Sequence, residues 1–121
     1  MNKSARTLRD ERHRAWWNDL KDQVTLRVHG AGVLSKGDCV YLFGSRAGDR
    51  WGGSSDTDLL VVLHSGEESR RDTIHAALAA IADDVVVATE QEIETGKRRG
   101  DTFWCEVDRE KRLIMEMTHA A

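Results

Sequence analysis

Two cysteines, no proline and no apolar run of membrane-spanning length set the first limits on this chain of 121 residues. Cys39 and Cys105 lack a Cys-x-x-Cys neighbour and both fall in apolar segments, where cysteine usually serves as a small core residue. A disulfide framework or a zinc site is therefore not expected. The opening stretch MNKSARTLRDERHR has no apolar h-region, and nothing later approaches the roughly 20 apolar residues of a membrane helix. The expectation is a cytoplasmic protein with no membrane association. A surplus of basic charge is missing too. The formal net charge of −3 argues against direct nucleic-acid binding, yet one local basic cluster suffices for a nucleotide.

The remainder is ordinary globular composition, with 40% hydrophobic and 32% charged residues. The length suits a single domain over 1–121, with an N-terminal helix in 1–30 and a core in 38–117. Little surface would remain for a second substrate-binding domain.

From about Ser4 to His29 the chain is polar, Arg-rich and free of glycine, and Leu8, Trp16, Leu20, Val24 and Val28 recur mostly every four residues. That spacing predicts an amphipathic helix ended by Gly30 and Gly32, with at least one of Trp16 and Trp17 capping the core. Cys39–Phe43 (CVYLF) and Asp58–Leu63 (DLLVVL) read as buried strands, and the turn-rich 48–55 segment between them reads as a loop. Ser65 to Glu68 has the form of a capping box, predicting a helix through Ile74, Leu78 and Ile81. The β-branched run Asp84–Ala88 is a third strand. Thr89 to Glu92 repeats the capping box and opens a short helix ending near Gly96 or Gly100. Arg112–Met117 is a last strand, interrupted by charge and so placed at an edge. The predicted class is α/β (α+β), one small mixed sheet flanked by helices.

Chemistry concentrates between residues 44 and 61. A strand ends at Gly44-Ser45, where a glycine lets a phosphate approach the backbone and the N–H groups of a following helix start can bind it. Asp56 and Asp58 lie two apart at the mouth of an apolar strand, so their side chains share a face. Adjacent carboxylates repel each other, and a fold that keeps such a pair usually neutralises it with a cation. Oxygen-only ligands favour Mg²⁺ or Mn²⁺ over zinc. The alternative is an exposed turn with two solvated aspartates. Asp84 joins the patch if its strand lies beside Leu59–Leu63, and three carboxylates can hold two metal ions for phosphoryl transfer. Asp83 competes with Asp84, but strand alternation lets only one of them face the site.

The segment resembles the signature of the DNA polymerase β-like nucleotidyltransferase superfamily, Gly-Ser followed after ten residues by Asp-x-Asp; here Gly44-Ser45 and Asp56-Thr57-Asp58 keep that spacing. GSRA, WGGSSD and DLLVV, with Asp84 in DVVVAT at the third acidic position, are most similar to the minimal nucleotidyltransferase (MNT) subfamily. The resemblance covers roughly Val40 to Met117. It implies that Gly44 and Ser45 hold the triphosphate, that Asp56 and Asp58 bind both metals, and that Asp84 binds the catalytic metal and helps activate the acceptor hydroxyl. Arg46 would contact a phosphate, its alternative being a solvated helix residue. Thr57 departs from the apolar residue usual between the two aspartates, though it suits a strand.

Lys97-Arg98-Arg99 reads as a solvated basic run that suits the helix dipole, the five histidines show no metal-ligand spacing, and Trp51 is expected to pack on its own domain. The implied cofactors are two Mg²⁺ (or Mn²⁺) ions, with ATP as substrate. Minimal nucleotidyltransferases are typically encoded beside a small helical HEPN partner, often as toxin–antitoxin pairs, and some attach AMP to it. A HEPN-type protein is therefore the expected acceptor, and a homo-oligomer is possible. The alternatives are a small-molecule enzyme of the aminoglycoside nucleotidyltransferase kind and a non-catalytic partner-neutralising module. Every acidic position and the Gly-Ser pair are filled, which favours an active enzyme.

Overall fold

Short apolar runs bounded by turn residues make the strands, and the capped segments between them make the helices. The structure, a computed structural model, describes residues 4–44, 57–65 and 68–118. In chain order the elements are α1 (Ala5–Ala31), β1 (Cys39–Phe43), β2 (Asp58–Leu63), α2 (Glu68–Leu78), β3 (Asp84–Thr89), α3 (Glu90–Arg98), α4 (Thr102–Glu110) and β4 (Arg112–Glu116). The sheet order is β3-β2-β1-β4. β1 runs antiparallel to both β2 and β4, while β2 and β3 are parallel. The sheet is therefore mixed, and the class is α+β as expected. No helix among the described residues is long and apolar enough to cross a membrane.

Strand alternation sends side chains to two separate cores. Leu59, Val61 and Leu63 of β2 pack with Leu20, Val24 and Val28 of α1 and with Ile74 and Leu78 of α2. Leu60 and Val62 face the other way, onto Phe43, Ala88, Ile93 of α3 and Val107 of α4. Helices thus cover both faces, which explains why β2 is apolar at every position after Asp58.

α1 is capped by Ser4, whose side chain accepts the Thr7 N–H, and by Gly32 at its far end; Gly30 lies inside the helix rather than ending it. Trp16 and Trp17 both pack against the core, and the Arg112 guanidinium sits 4.4 Å from the centroid of the Trp17 ring. α2 stops at Leu78, so Ile81 lies in the following turn, one turn short of the expected length. The Asp83 N–H is bonded to the Thr57 carbonyl (2.8 Å), and the chain must leave the helix to reach that anchor. Two residues of the Ser65–Glu68 capping box, 66 and 67, lie outside the described residues.

Asp38, just before β1, ties the chain leaving β2 to α2. Its carboxylate is 1% exposed and accepts the N–H groups of Ser35 (2.8 Å) and His64 (2.9 Å) and a hydrogen bond from Arg70. A buried carboxylate held this way keeps its charge compensated, and removing one partner of such a pair typically costs about 3–5 kcal/mol.

α4 was not among the elements expected from the sequence. Asp101 caps it by accepting the Trp104 N–H (3.3 Å), and Gly96 of α3 lies so close to Trp104 that a Cβ there would stand 2.2 Å from its Cδ1. Cys39 is buried as expected, but Cys105 is exposed on α4. The basic run is not wholly solvated: Lys97 bonds Asp108 across the α3–α4 junction at 2.9 Å, and Lys111 bonds the same carboxylate. These two ammonium groups, Lys111 first, hold the Asp108 carboxyl below its ordinary 3.8. A depressed folded pKa gives stability that is present above 3.8 and is lost as pH falls through the folded value. The difference in thermal midpoint between wild type and Asp108→Asn should therefore be largest near neutral pH and close as pH drops below 3.8. A difference independent of pH would show that the carboxylate charge contributes nothing there.

Candidate active site

The parallel register of β2 and β3 sets Asp58 directly beside Asp84, followed by Leu59 beside Val85 and so on to Leu63 beside Thr89. On the other side Asp58 pairs with Phe43, the last residue of β1. Paired residues on neighbouring strands point to the same face, so Asp58 and Asp84 both stand on the α3–α4 side, at the end where β2 and β3 begin. Asp58 is half-buried and Asp84 exposed. The strand starts therefore set the two residues side by side on one face.

Gly44 completes this corner. Its φ is +79°, a left-handed conformation that L side chains rarely adopt. A Cβ at this position would stand 2.6 Å from Asp58 Oδ2. The glycine therefore serves two purposes at once, turning the chain out of β1 and leaving room for the carboxylate. Ser45, Arg46 and Asp56 lie outside the described residues, as do the expected loop over 48–55 and Trp51 within it.

Asp83 points elsewhere. Its Oδ2 accepts the Thr57 N–H at 2.7 Å, and its own N–H donates to the Thr57 carbonyl. Thr57, 9% exposed, thus has both backbone polar groups bonded to the start of β3. Alternation along the strand separates the two aspartates, Asp84 onto the patch and Asp83 onto the backbone behind it. Asp83 was expected only as a competitor of Asp84 for the patch; its bond to Thr57 joins residues far apart in the chain and leaves no local pattern.

Two adjacent carboxylates beside an open glycine turn suit a hard divalent cation, since every donor is oxygen. Among the described residues no group of three His, Cys, Asp or Glu side chains is placed to hold a metal ion; Asp56, the third expected ligand, falls outside them. A cavity of about 730 Å³, bordered by His64, Arg71, Thr89, Glu92, Arg99 and Trp104, opens at the opposite end of β2 and β3. A six-residue strand spans roughly 17–20 Å, so this cavity is remote from Asp58 and Asp84. Its charged groups are largely engaged with each other: Arg71 bonds Glu92, and His64 Nδ1 lies 3.2 Å from Glu90. The hydrogen bond from Arg71, helped by the arginine's charge and by Thr89, holds the Glu92 carboxyl below its ordinary value.

No curated protein matches this chain. A crystal structure of a protein from Sulfolobus solfataricus, described as a "putative nucleotidyltransferase", superposes with a TM-score of 0.57 at 22% identity, covering 96% of this chain and 92% of that one. At that identity the likeness establishes the fold. The sequence profile of the nucleotidyltransferase domain matches residues 33–112, from just before β1 to the start of β4 and including Gly44, Asp58 and Asp84. With two thirds of its length matched, and with two of the acidic residues side by side at the strand ends, the chain belongs to the nucleotidyltransferase domain family.

Proposed function

We propose that this protein is a nucleotidyltransferase of the minimal type, moving AMP from ATP onto a hydroxyl of a partner protein, a small helical HEPN-type chain. One observation carries the reading: Asp58 and Asp84 are lateral neighbours on parallel strands, with Gly44 packed against the Asp58 carboxylate. Asp56, Asp58 and Asp84 would hold two Mg²⁺ or Mn²⁺ ions. When bound, such ions neutralise the triphosphate and stabilise the attacking and leaving oxygens.

The chain's own residues divide the remaining work. Gly44, Ser45 and Arg46 would bind the phosphates, as the resemblance implies. Asp58, wedged between β1 and β3, is held in place by its neighbours. Asp84 is the more exposed of the two described carboxylates. It would orient the acceptor hydroxyl and take its proton as the new oxygen–phosphorus bond forms at the α-phosphate. The bond from the α-phosphorus to the bridging oxygen breaks, and pyrophosphate leaves. Because there is little covalent chemistry for the protein to perform, positioning accounts for much of the rate.

The test is transfer of label from α-labelled ATP in the presence of Mg²⁺. Turnover by the protein alone should be slow, and addition of a HEPN-type partner protein should yield a labelled tyrosine, serine or threonine on that partner. Efficient labelling of a small molecule such as an aminoglycoside with no partner would defeat the protein-acceptor reading and leave nucleotidyl transfer standing. No labelled product with any acceptor would defeat both.

A further inference from the structure

We infer that Asp83 is a positioning residue for the carboxylate patch, acting through the backbone of Thr57 rather than on substrate or metal. The inference rests on the nucleotidyl-transfer reading and adds a residue to it. Three hydrogen bonds close a small ring between the starts of β2 and β3. The Thr57 N–H donates to Asp83 Oδ2 at 2.7 Å, and the Thr57 carbonyl accepts from the N–H groups of Asp83 (2.8 Å) and Asp84 (3.3 Å). Thr57 is the residue between Asp56 and Asp58, and it is 9% exposed. Fixing both of its backbone polar groups fixes the direction in which the chain enters β2, and with it the position of Asp58.

The same ring sets the register. A single peptide bond links Asp83 to Asp84, so the contact that pins Thr57 also aligns Asp84 with Asp58. A carboxylate accepting a backbone N–H makes a charge-assisted hydrogen bond, stronger than a neutral one. Its loss would let the start of β2 drift relative to β3. Displacement of reacting groups by about 1 Å can cost on the order of 10²-fold in rate, so a residue that touches no substrate can still govern turnover.

Asparagine separates positioning from ligation, because its side-chain oxygen still accepts the Thr57 N–H while its charge is gone. Transfer kinetics and hydrogen exchange of the Thr57 amide are measured for wild type, Asp83→Asn and Asp83→Ala. Asp83→Ala should expose the Thr57 amide to faster exchange and lower kcat by about 10- to 100-fold with KM for ATP nearly unchanged. Asp83→Asn should keep the amide protected and retain most of kcat. An Asn variant as inactive as Asp83→Ala, with Thr57 still protected, would make Asp83 a direct ligand and overturn the inference. Wild-type kcat in Asp83→Ala would overturn it as well. Should the alanine variant not fold, the asparagine variant alone decides between these outcomes. Absence of transfer in the wild type is a separate result; it removes the nucleotidyl-transfer reading and the inference with it.

Discussion

Asp84→Ala should reduce nucleotidyl transfer by on the order of 10²–10³-fold, the range seen when one electrostatic stabiliser is removed from an active site, while the protein stays folded. The two parts of this expectation have different causes. Asp84 is exposed at the first position of β3, and exposed substitutions away from special features usually change stability by no more than about 0.5 kcal/mol. Its carboxylate also lies beside that of Asp58, so its removal relieves repulsion between like charges in the metal-free protein. Urea denaturation should accordingly show Asp84→Ala as stable as wild type, and transfer from labelled ATP should show the loss. A variant that transfers at the wild-type rate would exclude Asp84 from the chemistry.

Gly44→Ala is the second large effect. The added methyl meets two obstacles, a φ of +79° and the Asp58 Oδ2 at 2.6 Å. The left-handed conformation costs a non-glycine residue about 1–2 kcal/mol. The carboxylate must also move, and this should be the more damaging consequence for function. Gly100 provides a control, since its φ is +73° but nothing lies within 4 Å of a Cβ built there. Gly44→Ala and Gly100→Ala should lose similar stability, yet only Gly44→Ala should lose transfer, by about 10²-fold. Equal activity in the two would mean that displacing the Asp58 carboxylate has no catalytic cost.

Much of the framework was legible in the sequence because it rests on short, uninterrupted patterns. β1 and β2 have the expected bounds, since each is an apolar run closed by a glycine or an aspartate. β3 extends one residue beyond the expected strand, to Thr89, which then caps α3 by accepting the Glu92 N–H at 3.1 Å. The Asp58–Asp84 neighbourhood was expected only on condition that β3 lie beside β2, and the parallel pairing of the two strands meets that condition. α4 was not legible: its residues Thr102, Phe103, Trp104, Cys105 and Val107 are weak helix formers, and its stability comes from packing against α3 and the sheet. The exposed Cys105 follows from the same omission, because an apolar-looking segment became a helix with one solvent face. The role of Asp83 and the Lys97–Asp108 bond were hidden for a different reason. Each joins residues on different elements, and no periodicity records a side chain reaching across a fold.

The claim that matters most is that the strand-end carboxylates bind a metal–nucleotide complex. Calorimetric titration of a non-hydrolysable ATP analogue, with and without Mg²⁺, tests it without requiring any acceptor. Wild type should bind the analogue only when Mg²⁺ is present, and Asp58→Asn, alone or with Asp56→Asn, should lose that binding while remaining folded. Undiminished metal-dependent affinity in the Asp56→Asn/Asp58→Asn protein would contradict the assignment.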